Sequence, residues 1–198
     1  MKLYFSPTSP YVRKVRVMAE ELGIDLDREP ITTLQSLDDS SFGKVNPIHR
    51  LPALQLDDGN VLPDSKLICE YLNVLGGHKM VPAEGAARWH TLKLQTLADG
   101  ILDAAVPRRA ETARPPEQQS PTRLAQYVRS ITQTLDALEA EAPAFVGVNL
   151  GTIAVACALG YLDFRFADED WRATRPKLAA WYAEFAERPS MQASAPPA

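Results

Sequence analysis

Apolar positions change their period along the chain. Leu3, Tyr4 and Phe5 make a short strand-forming run that Ser6-Pro7 ends, which predicts a β-strand over 2–5. Tyr11, Val12, Val15, Met18, Ala19 and Leu22 then share one side of a helix that Gly23 closes. Ser9 stands at its cap and Pro10 at its first helical position, a favoured order. Residues 25–31 predict a second, partly polar strand, and 32–41 a short mobile helix. Two apolar runs, 51–56 and 60–62, flank Asp57-Asp58-Gly59, a strong local signal for a tight hairpin. Pro63 should break the second strand, and Asp64 and Ser65 offer oxygens to the open amides of a helix start. Leu67, Ile68, Tyr71, Leu72 and Leu75 follow at helical spacing.

Beyond a flexible break at Gly76-Gly77-His78, every remaining pattern is helical. Trp89, Leu92, Leu94, Leu97, Ile101, Leu102 and Val106 predict a long helix from Glu84 to about Ala113, with Pro107 a candidate kink and Pro115-Pro116 its end. Ser120-Pro121 opens another, marked by Leu124, Tyr127, Val128, Ile131, Leu135 and Leu138. Residues 149–166 are apolar nearly all round, so this helix belongs at the centre of a bundle. A last helix over 176–188 precedes a Pro-Ala-rich tail expected to be loose. Strand, helix, strand, short helix, hairpin, helix is the order of a thioredoxin-like domain. The fold class is therefore an α/β thioredoxin-like amino-terminal domain over 1–76, a linker over 77–83 and an all-α bundle over 84–198.

Composition changes this picture little. The 198 residues are 45% hydrophobic, enough for a core without staples. A net charge of −4 argues against a general nucleic-acid binder, although Arg108-Arg109 is a short basic patch that could meet a small anion. No run of about 18 uncharged apolar residues predicts a membrane span, and Met1-Lys2 leads into Leu3-Tyr4-Phe5 rather than into an export signal. Cys69 and Cys157 sit on apolar helical faces and are expected as buried thiols, not a disulfide. His49, His78 and His90 lack zinc-type spacing, so no metal is expected.

Candidate chemistry concentrates between Asn46 and Ser65. Leu51-Pro52 enters a strand, where proline cannot donate to the ladder. A cis bond would turn the Leu51 backbone groups outward toward an extended peptide ligand, but about one X-Pro bond in twenty is cis, so trans is favoured on this residue alone. Taken with Asn46-Pro47, Arg50 and Asp64-Ser65, the stretch could hold an anionic or zwitterionic peptide. Leu51 would pair its middle, Ser65 and the helix amides a carboxylate, and Asp64 an ammonium. Ser9 needs no role beyond capping. The same geometry nonetheless lets its hydroxyl donate to a bound thiolate at the positive end of a helix, lowering a thiol pKa from roughly 8.5 toward neutrality.

These residues resemble the glutathione transferase superfamily. Asn46 to Pro52 matches its Asn-Pro-x-x-x-(Val/Leu)-Pro motif and Asp64-Ser65 its (Glu/Asp)-Ser motif, and Gly23-Ile24 lies as far from Ser9 as in the theta, zeta and omega classes. The resemblance covers nearly the whole chain. Ala98 to Ala104 and Ala113 to Pro115 are similar to a small, divergent bacterial branch. It implies a cytoplasmic, homodimeric transferase of serine type, with a detoxifying role, in which Ser9 activates the glutathione thiolate for attack on a small hydrophobic electrophile. Glutathione would be the co-substrate, held by Ser9, Leu51, Pro52, Asp64 and Ser65, with Arg50 or His49 at its glycine carboxylate and Asp99 at a partner subunit's γ-glutamyl ammonium. Tyr11, Asp103, Val106, Arg109 and Trp171 would line the electrophile pocket. Tyr4, Ser6, Thr8 and Tyr11 stay open as alternatives to Ser9.

Two other readings stay open as well. One is peroxidase, reductase, isomerase or dehalogenase chemistry on the same glutathione site, with the missing active-site cysteine disfavouring disulfide exchange. The other is a non-catalytic, transferase-like module that binds protein, similar to stringent starvation protein A. The family opens its central helix with a (Ser/Thr)-x-x-Asp capping box; here Thr152 is followed by Val155, so half of that box is missing.

Overall fold

The computed structural model describes residues 1–32 and 40–197. In chain order it contains β1 (Lys2–Phe5), α1 (Pro10–Glu21), β2 (Asp27–Pro30), α2 (Ser40–Val45), β3 (Ala53–Gln55), β4 (Val61–Pro63) and α3 (Ser65–Leu75). Then follow α4 (Gly85–Thr112), α5 (Pro121–Glu141), α6 (Leu150–Arg165), α7 (Pro176–Ala186) and α8 (Pro189–Ala193), with short 3₁₀ turns between some of them. Most of the short helix expected over 32–41 lies outside the described residues. The chain forms two compact units, residues 1–83 with 188–198, and residues 84–187.

The first unit is built on a four-stranded sheet of order β2-β1-β3-β4, with β1 parallel to β2 and antiparallel to β3, and β3 antiparallel to β4. Leu3, Leu54, Val12, Val15, Met18, Ile68 and Leu72 are almost wholly buried. Each such side chain contributes roughly 1.5–3 kcal/mol by leaving water. Pro63 ends β4 rather than interrupting it, which an edge strand tolerates. The hairpin closes through Leu56 N to the Asn60 carbonyl at 2.8 Å, with Gly59 at φ 88° and the Asp58 carboxylate accepting Asn60 N at 2.9 Å.

Helices α1 and α3 of this unit end in the same motif. After α1, Ile24 N donates to the Ala19 carbonyl at 2.8 Å and Gly23 N to Glu20 at 3.0 Å, with Gly23 at φ 67°. After α3, His78 N reaches the Asn73 carbonyl at 2.7 Å and Gly77 N reaches Val74 at 3.1 Å. The buried Asn73 side chain then accepts Met80 N and Val81 N at 3.1 and 3.0 Å. The segment expected to be a flexible break is thus a bonded turn, because a side chain seven residues back satisfies the backbone that leaves it.

The tail also departs from expectation. Residues 189–193 are helical, Ser190, Met191 and Ser194 are buried, and Arg188 forms two 2.8 Å hydrogen bonds to the Glu21 carboxylate of α1. Ser190 Oγ donates to the same carboxylate at 2.6 Å. Polar partners across the chain hold a segment too short and too poor in apolar residues to announce itself.

In the second unit every residue from Leu150 to Leu162 is buried, so α6 forms its centre, against α4 and α7. Its capping box is Asn149 with Thr152, not Thr152 with Val155. Asn149 Oδ1 accepts Gly151 N and Thr152 N at 2.9 and 3.1 Å, and Thr152 Oγ1 accepts Asn149 N at 3.0 Å. Helix α4 runs unbroken through Pro107. Glu139 of α5 accepts Lys177 N and Leu178 N at 3.2 and 2.7 Å, supplying the cap that α7 lacks in its own sequence. Cys69 and Cys157 are buried thiols. No helix among the described residues is long and apolar enough to cross a membrane.

A Cβ at Gly151 would lie 2.6 Å from the Thr91 carbonyl oxygen and 2.8 Å from Leu94 Cβ, so α4 and α6 approach backbone to side chain there. Gly151→Ala should lower stability by about 1–3 kcal/mol in denaturant unfolding, because backbone cannot step aside cheaply. The Glu21 carboxyl is held below the usual carboxylate range by its hydrogen bonds from Arg188, then by Ser190 and the Arg188 charge, against opposing desolvation. Its contribution is therefore complete above that range and lost as pH falls through the lowered folded value. Thermal unfolding across pH should show the gap between wild type and Glu21→Gln widest near neutrality and closing in acid.

Candidate functional site

Strand register sets the site. Tyr4 pairs with Ala53, and Ala53 with Pro63, so one row of the sheet joins the end of β1, the start of β3 and the end of β4. Just beyond that row stand the loop into α1, the Leu51-Pro52 turn and the Asp64-Ser65 start of α3. Adjacent strands are about 4.8 Å apart, so the row spans roughly 10 Å, the scale of a short extended peptide.

Ser9 caps α1 in extended conformation, φ −82° and ψ 121°, and its Oγ accepts Val12 N at 3.3 Å. The neighbouring hydroxyls are differently occupied. Tyr4 Oη donates to Gln55 Oε1 at 3.1 Å, and the Ser6 and Thr8 hydroxyls bond one another at 3.3 Å. Tyr11 is half-buried on the first turn of α1.

The Leu51-Pro52 bond is cis, against the trans form that its base rate favours. Asn46 organises the turn before it. Fully buried, Asn46 donates Nδ2 to the Arg50 carbonyl at 2.7 Å and accepts Ile48 N on Oδ1 at 3.2 Å, while its own carbonyl accepts His49 N at 3.0 Å. Motif matching gave Asn46 no role of its own; the signal available was an asparagine opening a turn, whose side chain can replace a backbone partner. His49 takes φ 50°, with its ring where a Cβ on Gly43 would lie 2.5 Å from Cε1. Arg50 and His49 are both exposed, and Pro52 is buried.

Asp64 takes φ 70°, a region that costs a non-glycine residue of order 1–3 kcal/mol. Its carboxylate accepts Lys66 N at 2.7 Å and so caps α3. Asp64 remains exposed beside the buried Ser65, which begins the helix at its positive end. The strained backbone thus presents a carboxylate and a hydroxyl side by side at one helix start.

The other candidates belong to the second unit. Asp99 is buried on α4, whereas Asp103 and Arg109 are exposed and Val106 is half-buried. Trp171 is buried, donates Nε1 to Asp163 at 2.8 Å and lies under the Arg172 guanidinium at 4.4 Å. It also lines a cavity of about 170 Å³ with Ile131, Leu135, Leu162 and Phe166. Helical spacing puts Asp99, Asp103 and Val106 near one side of α4, but their exposure differs, so they do not form a uniform wall.

Asp64→Gly and Asp64→Ala separate backbone strain from capping. Glycine suits φ 70° and loses only a few tenths of a kcal/mol as a cap, whereas alanine loses about 1 kcal/mol of capping and keeps the strain. Thermal unfolding should place Asp64→Gly near wild type and Asp64→Ala clearly below both.

Comparison with known proteins agrees with this fold. Residues 8–75 match the family described as Glutathione S-transferase, N-terminal domain, and residues 121–184 match Glutathione S-transferase, C-terminal domain. The GST-like protein YibF of Escherichia coli K12 is 36% identical over 202 residues, covering 100% of this chain and 99% of its own. A glutathione transferase family member from Pseudomonas fluorescens Pf-5, solved with bound glutathione, superposes with a TM-score of 0.90 at 42% identity, covering 100% of this chain and 99% of that one. A glutathione S-transferase from Methylobacillus flagellatus KT, also with glutathione bound, gives 0.90 at 33% identity and 99% coverage of both chains. With its amino-terminal sheet, its helical unit and relatives of nearly equal length, the chain belongs to the glutathione S-transferase family.

Proposed function

We propose that this protein is a glutathione transferase that binds glutathione along the Pro52 end of its sheet and activates the sulfur through Ser9. The observation that carries the reading is the Tyr4–Ala53–Pro63 row, from which the Ser9 cap, the Leu51-Pro52 turn and the Asp64-Ser65 helix start all leave the sheet. Relatives at 42% and 33% identity, each solved with glutathione bound, support the ligand.

In this reading the γ-glutamyl carboxylate meets Ser65 and the α3 amides, and its ammonium meets Asp64. The cysteinyl backbone pairs with Leu51 beside Pro52, and the glycine carboxylate meets Arg50 or His49. Ser9 accepts a backbone amide on a lone pair, which leaves its hydroxyl proton to donate to the sulfur. That hydrogen bond and the α1 amides favour thiolate over thiol, so the thiol proton passes to solvent and the sulfur attacks a bound electrophile. A carbon–sulfur bond forms as a leaving group departs with its electron pair, or as an activated double bond takes up the pair and then a proton from solvent. Roles toward the electrophile are assigned to Tyr11 in the first unit and to Asp103, Val106, Arg109 and Trp171 in the second. Asp99 is assigned to a partner subunit's γ-glutamyl ammonium in a cytoplasmic homodimer with a detoxifying role. The exposed α3 side chains Leu67, Val74 and Leu75 support a second copy as the neighbour of the first unit.

Calorimetric titration of glutathione, with thiolate absorbance of the bound ligand followed across pH, tests the assignment. Ser65→Ala should weaken binding about tenfold or more, the loss of a charge-assisted hydrogen bond. Ser9→Ala should leave affinity within a few-fold while returning the bound thiol toward its ordinary pKa near roughly 8.5. Absence of binding at millimolar glutathione would overturn the transferase reading and direct attention to protein partners.

A further inference from the structure

Helix α1 is held from outside the sheet by the other end of the chain. Arg13, one turn beyond Ser9, donates Nη2 to the Met191 carbonyl at 2.9 Å, 178 residues away, and Nε to Ser194 Oγ at 3.4 Å. Arg16 donates Nη2 to the Ala193 carbonyl at 2.8 Å. At the far end of the helix Glu21 takes both hydrogen bonds from Arg188 and the one from Ser190. These are charge-assisted contacts, roughly twice as strong as neutral ones. Ser190, Met191 and Ser194 are buried, so the segment that supplies the partners is itself fixed.

Position matters as much as strength. Arg13 and Glu21 lie about 12 Å apart along the helix axis. Anchors at two such points restrain both the rotation of α1 about its axis and its slide along it. The near anchor is also tied to the candidate serine directly, since Arg13 N donates to the Ser9 carbonyl at 3.0 Å in the first turn. The carboxy-terminal family match ends at residue 184, so segment 188–194 lies beyond it, whereas Arg13, Arg16 and Glu21 lie within the amino-terminal match over 8–75.

We propose that segment 188–194 is a positioning device for sulfur activation, with Arg13 as the positioning residue that registers the first turn of α1, and hence Ser9 Oγ, against the glutathione sulfur. The proposal rests on the Ser9 reading given above. A hydrogen bond to a thiolate weakens steeply as its geometry is lost, and a displacement near 1 Å can reduce a rate by about a hundredfold. Glutathione affinity, carried mainly by the turn and α3, should respond much less.

The test uses the full chain and compares Arg13→Gln, Arg13→Lys, Glu21→Gln and Ser9→Ala by bound-thiol pKa and by glutathione affinity. Arg13→Gln should raise the bound-thiol pKa by about one unit, equivalent to about a tenfold loss of thiolate stabilisation, with affinity changed less than about threefold. Arg13→Lys, which keeps a cationic donor for the Met191 carbonyl, should recover part of that shift. Glu21→Gln, at the distal anchor, should shift it in the same direction by less. Merely structural anchoring would lower melting temperature and leave the bound-thiol pKa at its wild-type value. That result in both Arg13→Gln and Glu21→Gln, with Ser9→Ala raising the pKa, overturns the clasp alone. A wild-type pKa in Ser9→Ala instead overturns the Ser9 reading and the clasp's role with it.

Discussion

The pairing of Tyr4 with Ala53 and of Ala53 with Pro63 is the constraint on which the site depends. Because β1 and β4 run one way and β3 the other, the exit of β1, the entry to β3 and the exit of β4 fall at the same end of the sheet. Everything with candidate chemistry in the first unit leaves the sheet there. The register is held by packing: Leu3 stands opposite Leu54, and both are wholly buried. A slip of one residue would set Gln55 against Leu3 and carry Pro52 out of line with the two helix starts.

Two helix N-termini at one sheet end make a polarised edge, since each leaves unsatisfied amides and a partial positive charge. The chain caps them differently. Asp64 is bound tightly to Lys66 N at 2.7 Å and takes a left-handed backbone, while Ser9 reaches Val12 N at 3.3 Å from an ordinary extended conformation. A carboxylate cap keeps a second oxygen for a cation, and a hydroxyl cap keeps a proton for an anion. The two caps therefore suit opposite charges on one zwitterionic peptide, and in the proposed reading Asp64 faces its ammonium and Ser9 its sulfur.

What could be seen in the sequence followed local rules. The α1 and α3 starts, the Asp-Gly hairpin and the fully apolar α6 each carry their signal within a few residues, and each forms as expected. The departures share a different cause, because their partners are remote or their register is ambiguous. Residues 189–193 are ordered through Glu21, Arg13 and Arg16, at separations no local pattern reaches. The turn after α3 is fixed by Asn73, and the start of α7 by Glu139. Thr152 does serve a capping box, but as its third helical residue rather than its cap. Asn46 was visible as a motif letter, and only its buried position shows that it ties the Arg50 carbonyl.

Cysteine placement narrows the chemistry further. The sequence has two cysteines, Cys69 on α3 and Cys157 within the central helix, and both are fully buried. Thiol-disulfide exchange through a mixed disulfide needs an accessible protein thiolate, usually one stabilised at a helix start. Neither position meets that need, and the cap of α1 carries a hydroxyl instead. A serine cannot form the mixed disulfide, but it can hold a thiolate by hydrogen bonding. Under the proposed reading the reactive sulfur therefore stays on the ligand throughout. The protein's contribution is to bind it, orient it and lower the free energy of its anion, and a small error in the placement of α1 would compromise the last of these before the first.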